Sequence, residues 1–326
     1  MSRNANRRRL LAALACLFLP APAGAADYPA RPIRMIVPFV AGGGTDLLAR
    51  FVTPRLSELL GQQIVVDNRG GGGSVVGTQI LAKSHPDGYT LGIFDTAFAI
   101  NPWIADKPPY DADHDFVFVA IIATSPSLLI ARPGLRVRTM QDFVALAKSQ
   151  PGKIRFASAG VGSSSHLTAQ MLMTAAKIDL LHVPYKGAGA AILDLLGGHV
   201  DVTSVVPGSV MPQIQAGTVI PLVITGKAPH ATLPNVPTFA GVGLPTVNPV
   251  QFRFLVAPAG LPASIQKKLA GAMRTVVEPQ EFRARLFDNG FDVELLVEAD
   301  ARAYVMQQIQ RWRQAVKDAG IKIGAM

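Results

Sequence analysis

The chain has 326 residues, of which 49% are hydrophobic, and its 31 basic and 22 acidic residues give a formal charge of +9. The basic residues are scattered, and the densest group, Arg132, Arg136 and Arg138, lacks the interleaved aromatic side chains of a nucleic-acid surface. The one cysteine, Cys16, excludes an internal disulfide and a zinc–thiolate site. The length favours about two domains.

The first 25 residues have the features of an export signal. Arginines precede an apolar run at 10–19, and the small residues Ala23 and Ala25 follow it. We therefore expect cleavage near Ala25 and a periplasmic location. Sec export is the default, while NRRRLL (6–11) leaves the twin-arginine route open and Cys16 leaves lipoprotein processing open.

Short apolar runs alternate with helical patterns, which indicates an α/β fold with mainly parallel sheets. The predicted strands are 33–39, 64–66, 89–94, 116–123, 127–131, 154–157, 180–183 and 200–205. The predicted helices are 46–60, 74–83, a helix opened by Thr139 and Asp142, 164–176, 188–196, 264–277 and 299–317. The last helix carries an apolar stripe that favours docking on the core, formed by Ala301, Val305, Ile309, Trp312 and Val316.

Two glycine-rich turns, VPFVAGGGTD (37–46) and SAGVGSSSH (158–166), each follow a predicted strand and open a helix. Glycine allows close approach of the backbone, and the first turn of a helix leaves N–H donors unpaired, so each turn suits an anion. Across a shared cleft, these amides would hold a carboxylate together with hydroxyls of Thr45, Ser163, Ser164 and Ser165. The alternative is that Thr45 and Ser164 only cap their helices.

Enzyme signatures are incomplete. The three serines at 163–165 lie beside His166, but G-x-S-x-G is not formed, and neighbouring side chains diverge by about 100° at a helix start. The dinucleotide fingerprint fails because Val76 stands where the third glycine belongs. The histidines show no ligand spacing, so we expect no metal and no cofactor.

Longer motifs carry a resemblance to a known family. They are YPARPIRMIVPFVAGGGTDLLAR (28–50), VVDNRGGGG (65–73), HPDGYTL (85–91), VALAKSQPGKIRFASAGVGSSSHL (144–167), HVPYKGAGAAILDLLGGHVD (182–201), NVPTFAGVGLP (235–245) and LVAPAGLP (255–262). In order and spacing they resemble the extracytoplasmic solute receptors of tripartite tricarboxylate transporters, often called Bug receptors. The resemblance covers nearly all of the chain after residue 25.

The resemblance implies a type II periplasmic-binding-protein (Venus flytrap) fold, in which two α/β domains joined by crossing strands close over one organic acid. Domain one would combine residues 26–124 and 226–326, and domain two would span 125–225. It implies a monomeric receptor rather than an enzyme. Its partner would be the permease subunits of a transporter or, alternatively, a sensor protein.

The resemblance also implies that main-chain amides and ordered waters hold the ligand carboxylate, more than a dedicated arginine does. The turns at 39–46 and 158–166 would supply the amides, with a third loop at 94–98. The implied ligand-binding residues are Phe39, Ala41, Gly42, Gly43, Thr45, Asp46, Asp95, Thr96, Ser158, Gly160, Ser163, Ser164, Ser165, His166, Tyr185 and Pro207.

Three residues, Asp95, Phe98 and Arg253, depart from the family pattern. Asp95 is expected either to contact a cationic or hydroxylated ligand group or to cap local amides. Phe39 and Phe98 would either sandwich an apolar ligand body or belong to the core. Arg253 would point at the cleft or at solvent. Asp95 and Arg253 favour a ligand with a second polar group, and dicarboxylates, tricarboxylates, amino acids and aromatic acids all remain open.

Overall fold

The computed structural model describes residues 28–105 and 107–318, so the predicted export signal lies outside the described residues. The strands are β1 (Ile33–Val37), β2 (Ile64–Asn68), β3 (Thr90–Asp95), β4 (Phe116–Ser125), β5 (Leu128–Ala131), β6 (Arg155–Ser158), β7 (Leu181–Pro184), β8 (Val202–Val205), β9 (Ile220–Ile224), β10 (Gln251–Pro258) and β11 (Asp292–Val297). The helices are α1 (Gly44–Leu60), α2 (Val75–Ala82), α3 (Ala97–Ile104), α4 (Met140–Ser149), α5 (Ser164–Ala176), α6 (Ala188–Leu196), α7 (Met211–Gln215), α8 (Ala263–Val277), α9 (Gln280–Asp288) and α10 (Glu298–Asp318).

The strands form two sheets. The first has the order β11-β4-β10-β3-β1-β2 and the second has the order β7-β6-β8-β5-β9. Strands β1, β2 and β3 pair in parallel, as do β6, β7 and β8, whereas β4, β5, β9, β10 and β11 pair antiparallel to their neighbours. Both sheets are therefore mixed, with more antiparallel pairing than the alternation of elements predicted. The chain passes directly from β4 of the first sheet to β5 of the second. Because no helix connects these two strands, β5 need not run parallel to its neighbours in the second sheet.

Helices cover both faces of each sheet. In the first sheet, alternate residues of β1 point to opposite faces, since Met35 packs in the core that contains α1 and α8, and Ile36 packs in the core that contains α10. The predicted stripe on the last helix is buried in that second core, at Ala301, Val305, Ile309, Trp312 and Val316. The second sheet is covered by α4 and α5 on one face and by α6 on the other. We call each sheet with its helices a lobe.

Local capping explains where helices begin. Thr139 and Asp142 form the reciprocal capping box that the sequence predicted for α4. The bounds of α5 and α6 are those predicted, and α5 is capped by the hydroxyl of Ser163. The first helix begins at Gly44, two residues earlier than predicted, because Gly43 in an extended conformation serves as its N-cap.

Helix α3 was not predicted, since residues 94–98 were interpreted as a cleft loop. Phe98 lies in this helix and is buried in the first lobe. Its ring packs within 5.0–5.8 Å, centroid to centroid, of four aromatic rings, those of Tyr110, Phe116, Phe118 and Phe254. Phe98 therefore belongs to the core, and the suggestion that it stacks on an apolar ligand body is wrong.

The segment that follows β9 packs on the second lobe. Leu233 and Val236 lie in the core beside β5, and Phe239 and Val247 lie in the core of the opposite face. Phe239 N–H also donates to the carbonyl of Ile224 at the edge of the second sheet. The chain returns to the first sheet only at β10.

A candidate anion-binding cavity between the two lobes

A cavity lies where the two lobes meet. The centre of a water-sized sphere can reach about 30 Å³ of the space inside it, and the volume free of protein atoms, with the open mouth included, is about 420 Å³. It is lined from the first lobe by Phe39, Gly43, Gly44, Thr45, Asp46, Asp95, Gln251 and Arg253, and from the second by Ala159, Ser163, Ser164, Ser165, Ala188, Ser204, Val205 and Val206. The two glycine-rich turns thus face one shared space, as the sequence predicted.

Helix amino ends from both lobes converge on this cavity. Helix α1 opens at Gly44 and Thr45, α5 at Ser164 and Ser165, and α6 at Ala188, and all of these residues line the cavity. The first N–H groups of a helix have no acceptor within the helix, and the helix dipole makes that end positive. The cavity walls are therefore built to attract an anion.

The three serines of the second turn have different roles. Ser163 Oγ donates to the carbonyl of Gly160 (2.6 Å) and accepts from His166 N–H (3.3 Å), so it caps α5. Ser165 Oγ accepts from Ala159 N–H (2.9 Å). Ser164 Oγ has no hydrogen-bond partner among the described residues, so of these three hydroxyls it is the one that remains available to a ligand. The suggested capping role holds for neither Ser164 nor Thr45, because the N-caps are Ser163 and Gly43.

Asp95 is the last residue of β3. Its two carboxylate oxygens accept from Thr45 Oγ1 (2.9 Å) and from Ala97 N–H (3.0 Å), so it caps a local amide as one interpretation suggested. It also lines the cavity. Burial raises the pKa of Asp95, whereas the charge of Arg253 and these hydrogen bonds act to lower it.

Arg253 points into the cavity and not into solvent. It lies opposite Asp95 in the register of β10 and β3, and only 1% of its surface is exposed. Its guanidinium donates from Nη1 to Ser125 Oγ (2.6 Å) and from Nη2 to Gln251 Oε1 (2.9 Å). Burial lowers the pKa of Arg253 to about 10, and the charge of Asp95 opposes this shift, so Arg253 is cationic at neutral pH.

Buried hydrogen bonds connect the floor of the cavity to the strands that cross between the lobes. Gln251 Nε2, beside Arg253, donates to Ser127 Oγ (2.9 Å), which lies between β4 and β5. Ser127 N–H in turn donates to Thr225 Oγ1 (2.7 Å), directly after β9. Arg253 is therefore coupled to both crossing points through Ser125 and Gln251.

Asp46 lines the cavity, but its carboxylate orders the first glycine turn. One oxygen accepts from Gly42 N–H and Arg50 Nε (both 3.0 Å), and the other accepts from Asn68 Nδ2 (3.0 Å). Burial acts to raise the pKa of Asp46, but these hydrogen bonds and the charge of Arg50 lower it overall. Its negative charge is thus compensated beside the positive end of α1.

The remaining predicted residues do not line the cavity but shape its walls. They are Ala41, Gly42, Thr96, Ser158, Gly160, His166, Tyr185 and Pro207. Thr96 Oγ1 accepts from Phe252 N–H (2.9 Å), and Tyr185 OH donates to Asp194 (2.5 Å). Their contact with a ligand stays a prediction.

Sequence reasoning missed several lining residues, namely Gly44, Ala159, Ala188, Ser204, Val205, Val206 and Gln251. Two of these omissions had a signal in the sequence. Gly44 is the last glycine of the first turn, and Val205 ends a strand predicted to point at the cleft. Gln251 had no such signal, because only the pairing of β10 with β3 and β4 brings it here.

His166 and His182 stack behind the second turn, with ring centroids 4.4 Å apart and planes at 19°. Gly162 N–H donates to His166 Nδ1 (3.3 Å), and Ser158 Oγ lies 2.6 Å from His182 Nε2. Burial, and secondarily the neighbouring His182, lowers the pKa of His166 to about 4. Two stacked neutral imidazoles therefore support the turn at neutral pH.

The lobes are in contact around the cavity. Val40 N–H of the first lobe donates to the carbonyl of Lys186 of the second (3.1 Å). A Cβ added to Gly189 would lie 1.9 Å from the carbonyl oxygen of Ala41, and a Cβ on Gly73 would lie 1.9 Å from that of Val161. Glycine is thus required where the lobes meet, because a side chain at these positions would collide with the backbone of the other lobe.

Within residues 28–105 and 107–318, no group of three or more His, Cys, Asp or Glu side chains is placed to hold a metal ion. Over the same residues, no helix combines the length and the apolar character that a membrane crossing requires.

The family model described as the tripartite tricarboxylate transporter family receptor, TctC, matches residues 48–321. The chain belongs to this family. The TctC-family chain is 33% identical to the protein BugT of Bordetella pertussis over 326 residues, which covers 98% of this chain and 99% of BugT.

Two similar solved structures carry organic acids in their descriptions. Rpa4515 of R. palustris with adipate has a TM-score of 0.87 at 30% identity, covering 91% of this chain and 99% of that one. MatC of Rhodopseudomonas palustris with bound malate has a TM-score of 0.79 at 31% identity, covering 89% of this chain and 100% of that one. The TctC-family receptor therefore has the type II periplasmic-binding-protein fold that the sequence predicted.

The stacked histidines predict a loss of stability in mild acid. The pKa of His166 is about 4 in the folded receptor and 6.5 when unperturbed, so the unfolded state binds more protons between these values. The contribution of neutral His166 to the free energy of unfolding is therefore fully present above pH 6.5 and is lost as the pH drops towards 4. We expect His166 to reduce the free energy of unfolding by about 2 kcal/mol from pH 7 to pH 5, measured by urea unfolding.

His166→Asn should remove most of that difference, whereas His114→Gln, at an exposed histidine, should leave it in place. An equal pH dependence in the wild type and His166→Asn would contradict this assignment.

Proposed function

We propose that this protein is a periplasmic receptor that captures a small organic acid between its two lobes and delivers it to the permease subunits of a tripartite tricarboxylate-type transporter. The observation that carries the proposal is the convergence of helix amino ends from both lobes on one cavity. Relatives solved with adipate and malate support the same ligand class. The receptor acts as a monomer and is exported by its leader, residues 1–25, through Sec.

Capture proceeds by closure. A carboxylate that accepts from α1 of the first lobe and from α5 and α6 of the second gains all of these hydrogen bonds only when the lobes meet. The ligand therefore stabilises the closed form by its higher affinity for that form, and the permease recognises the closed surface.

We propose that the lobes turn about the crossing strands. The predicted domains, 26–124 with 226–326 and 125–225, follow the division of the strands between the two sheets. The packing of Leu233, Val236 and Phe239 on the second lobe favours a return to the first lobe near Gln251. The hinge then lies at 126–127 and at 248–250, after the last of these packed residues.

We further propose that the protein is not an enzyme. Ser158 and His182 form a close pair, but Ser158 has no exposed surface and its hydroxyl already accepts from Gly160 N–H. Ser164 reaches the cavity, but Nδ1 of the neighbouring His166 is occupied by Gly162 N–H. Neither serine combines access to a substrate with an available base.

A thermal-shift screen of mono-, di- and tricarboxylates, aromatic acids and amino acids on the mature protein tests the function. A ligand at 100 times its dissociation constant adds about 2.7 kcal/mol to stability, so the melting temperature should rise for at least one organic acid. The parent alcohols serve as controls and should give no shift. The absence of a shift with every acid at millimolar concentration would contradict the receptor function.

Ser164 and Ser163 provide a matched pair of variants. Ser164→Ala removes a hydroxyl without a protein partner, so it should weaken binding of the acid found in the screen by about 0.5–1.5 kcal/mol and leave stability unchanged. Ser163→Ala removes the cap of α5 and should lower stability by about 1 kcal/mol. Calorimetric titration and urea unfolding separate the two effects, and an unchanged affinity in Ser164→Ala would exclude this hydroxyl from the site.

Gly189→Ala should hold the receptor open. Its Cβ would meet the carbonyl oxygen of Ala41 at 1.9 Å, which is a contact between the lobes, so we expect at least a tenfold loss of affinity without loss of folding stability. Gly271→Ala, in α8 with open space around its Cβ, is the control for a helical glycine. Small-angle scattering should show no ligand-induced compaction in Gly189→Ala, and compaction equal to the wild type would contradict the role of this contact.

A further inference from the structure

We propose that Arg253 determines ligand specificity by pairing directly with a second carboxylate, so that this receptor selects dicarboxylates over monocarboxylates of the same length. This inference rests on the proposed function. It concerns a side chain at the cavity floor, whereas the family resemblance implied binding by main-chain amides and waters more than by a dedicated arginine.

Arg253 is a buried cation without a direct counter-ion. Among the described residues, no carboxylate oxygen lies within 4.0 Å of its guanidinium nitrogens, and its buried Nε–H has no acceptor. Asp95, its neighbour in register, directs its oxygens to Thr45 and Ala97. Burying a charge without a paired partner is costly, so the cavity gains most from a ligand that brings an anionic group to Arg253.

Hydrogen bonds and an aromatic ring fix the position of the Arg253 guanidinium without any ligand. Ser125 Oγ and Gln251 Oε1 fix its two terminal nitrogens, and the ring of Phe291 packs against it with its centroid 5.2 Å from Cζ. A guanidinium has five N–H donors, of which these contacts use two. The others can form charge-assisted hydrogen bonds with a carboxylate without further ordering of the side chain.

The donors of the cavity fall into two sets, one from each lobe. In the first lobe, Arg253 Nη2 lies 2.9 Å from the position of a Cβ on Gly44, so the guanidinium and the start of α1 form one set. In the second lobe, the starts of α5 and α6 form the other, with the unpartnered hydroxyl of Ser164. An acid with two carboxylates can offer an anionic group to each set.

Calorimetric titration of the wild type with acids matched in length tests this selectivity. The pairs are adipate with hexanoate and succinate with butanoate, at pH 7.5 and fixed ionic strength. We expect the dicarboxylate of the better-fitting pair to bind at least tenfold more tightly than its monocarboxylate partner. Equal affinities within both pairs would overturn the proposal while leaving the receptor function intact.

Variants at Arg253 assign the selectivity to this side chain. Arg253→Gln should weaken the dicarboxylate about 10- to 100-fold, as expected for one lost charged hydrogen-bond partner, and should change monocarboxylate affinity less than about threefold. Arg253→Lys keeps the charge but lacks the planar guanidinium, so its dicarboxylate affinity should lie between those of the wild type and Arg253→Gln. Arg34→Gln removes an arginine of the same sheet that pairs with Asp67 away from the cavity, and should retain full selectivity.

The outcomes separate the two proposals. An equal loss for both acids in Arg253→Gln would show that the side chain supports the fold or the first carboxylate, and would overturn its role in selectivity. If no acid binds the wild type at all, the receptor function itself fails. If Arg253→Gln does not fold, two measurements still decide between selective and unselective binding. They are the affinities of the matched acids for the wild type and the ratio of dicarboxylate to monocarboxylate affinity in Arg253→Lys.

Discussion

The structure depends on one constraint, which is that the first N–H groups of a helix have no acceptor within that helix. Here the starts of α1, α5 and α6 turn those donors towards a single cavity between two lobes. Water can satisfy such donors in an open cleft, and an anion that bridges both walls can satisfy them when the lobes meet. The need to pair these amides therefore connects the fold, the ligand class and the closing motion.

Buried side chains add a second layer to this arrangement. Asp95 and Arg253 lie opposite each other on β3 and β10. The contacts of Arg253 continue through Gln251 to Ser127, where the chain crosses from β4 to β5, and on to Thr225 directly after β9. The hydrogen bonds of Arg253 thus reach from the cavity to the segment that joins β4 of the first sheet to β5 of the second.

Several features were predictable because they depend on neighbours in the chain. The bounds of α5, the capping box of α4 and the glycine turns follow from residues within a few positions of each other. Helix α3 was missed because Phe98 and its aromatic neighbours form a helix stabilised by contacts with distant strands. The antiparallel entry of β5 and β10 was missed for a similar reason, since the direction of a crossing strand is set by the other lobe.

The sequence by itself determined the family, the α/β class and the two amide-rich turns, because motif order, apolar periodicity and glycine placement are all local properties of the chain. Only the tertiary structure decided which of the three serines faces the cavity, that Phe98 belongs to the core, and that Arg253 points inward without a direct counter-ion. These outcomes depend on strand pairing and on contact between the lobes, which bring together residues more than a hundred positions apart, such as Asp95 with Arg253 and Ser125 with Arg253.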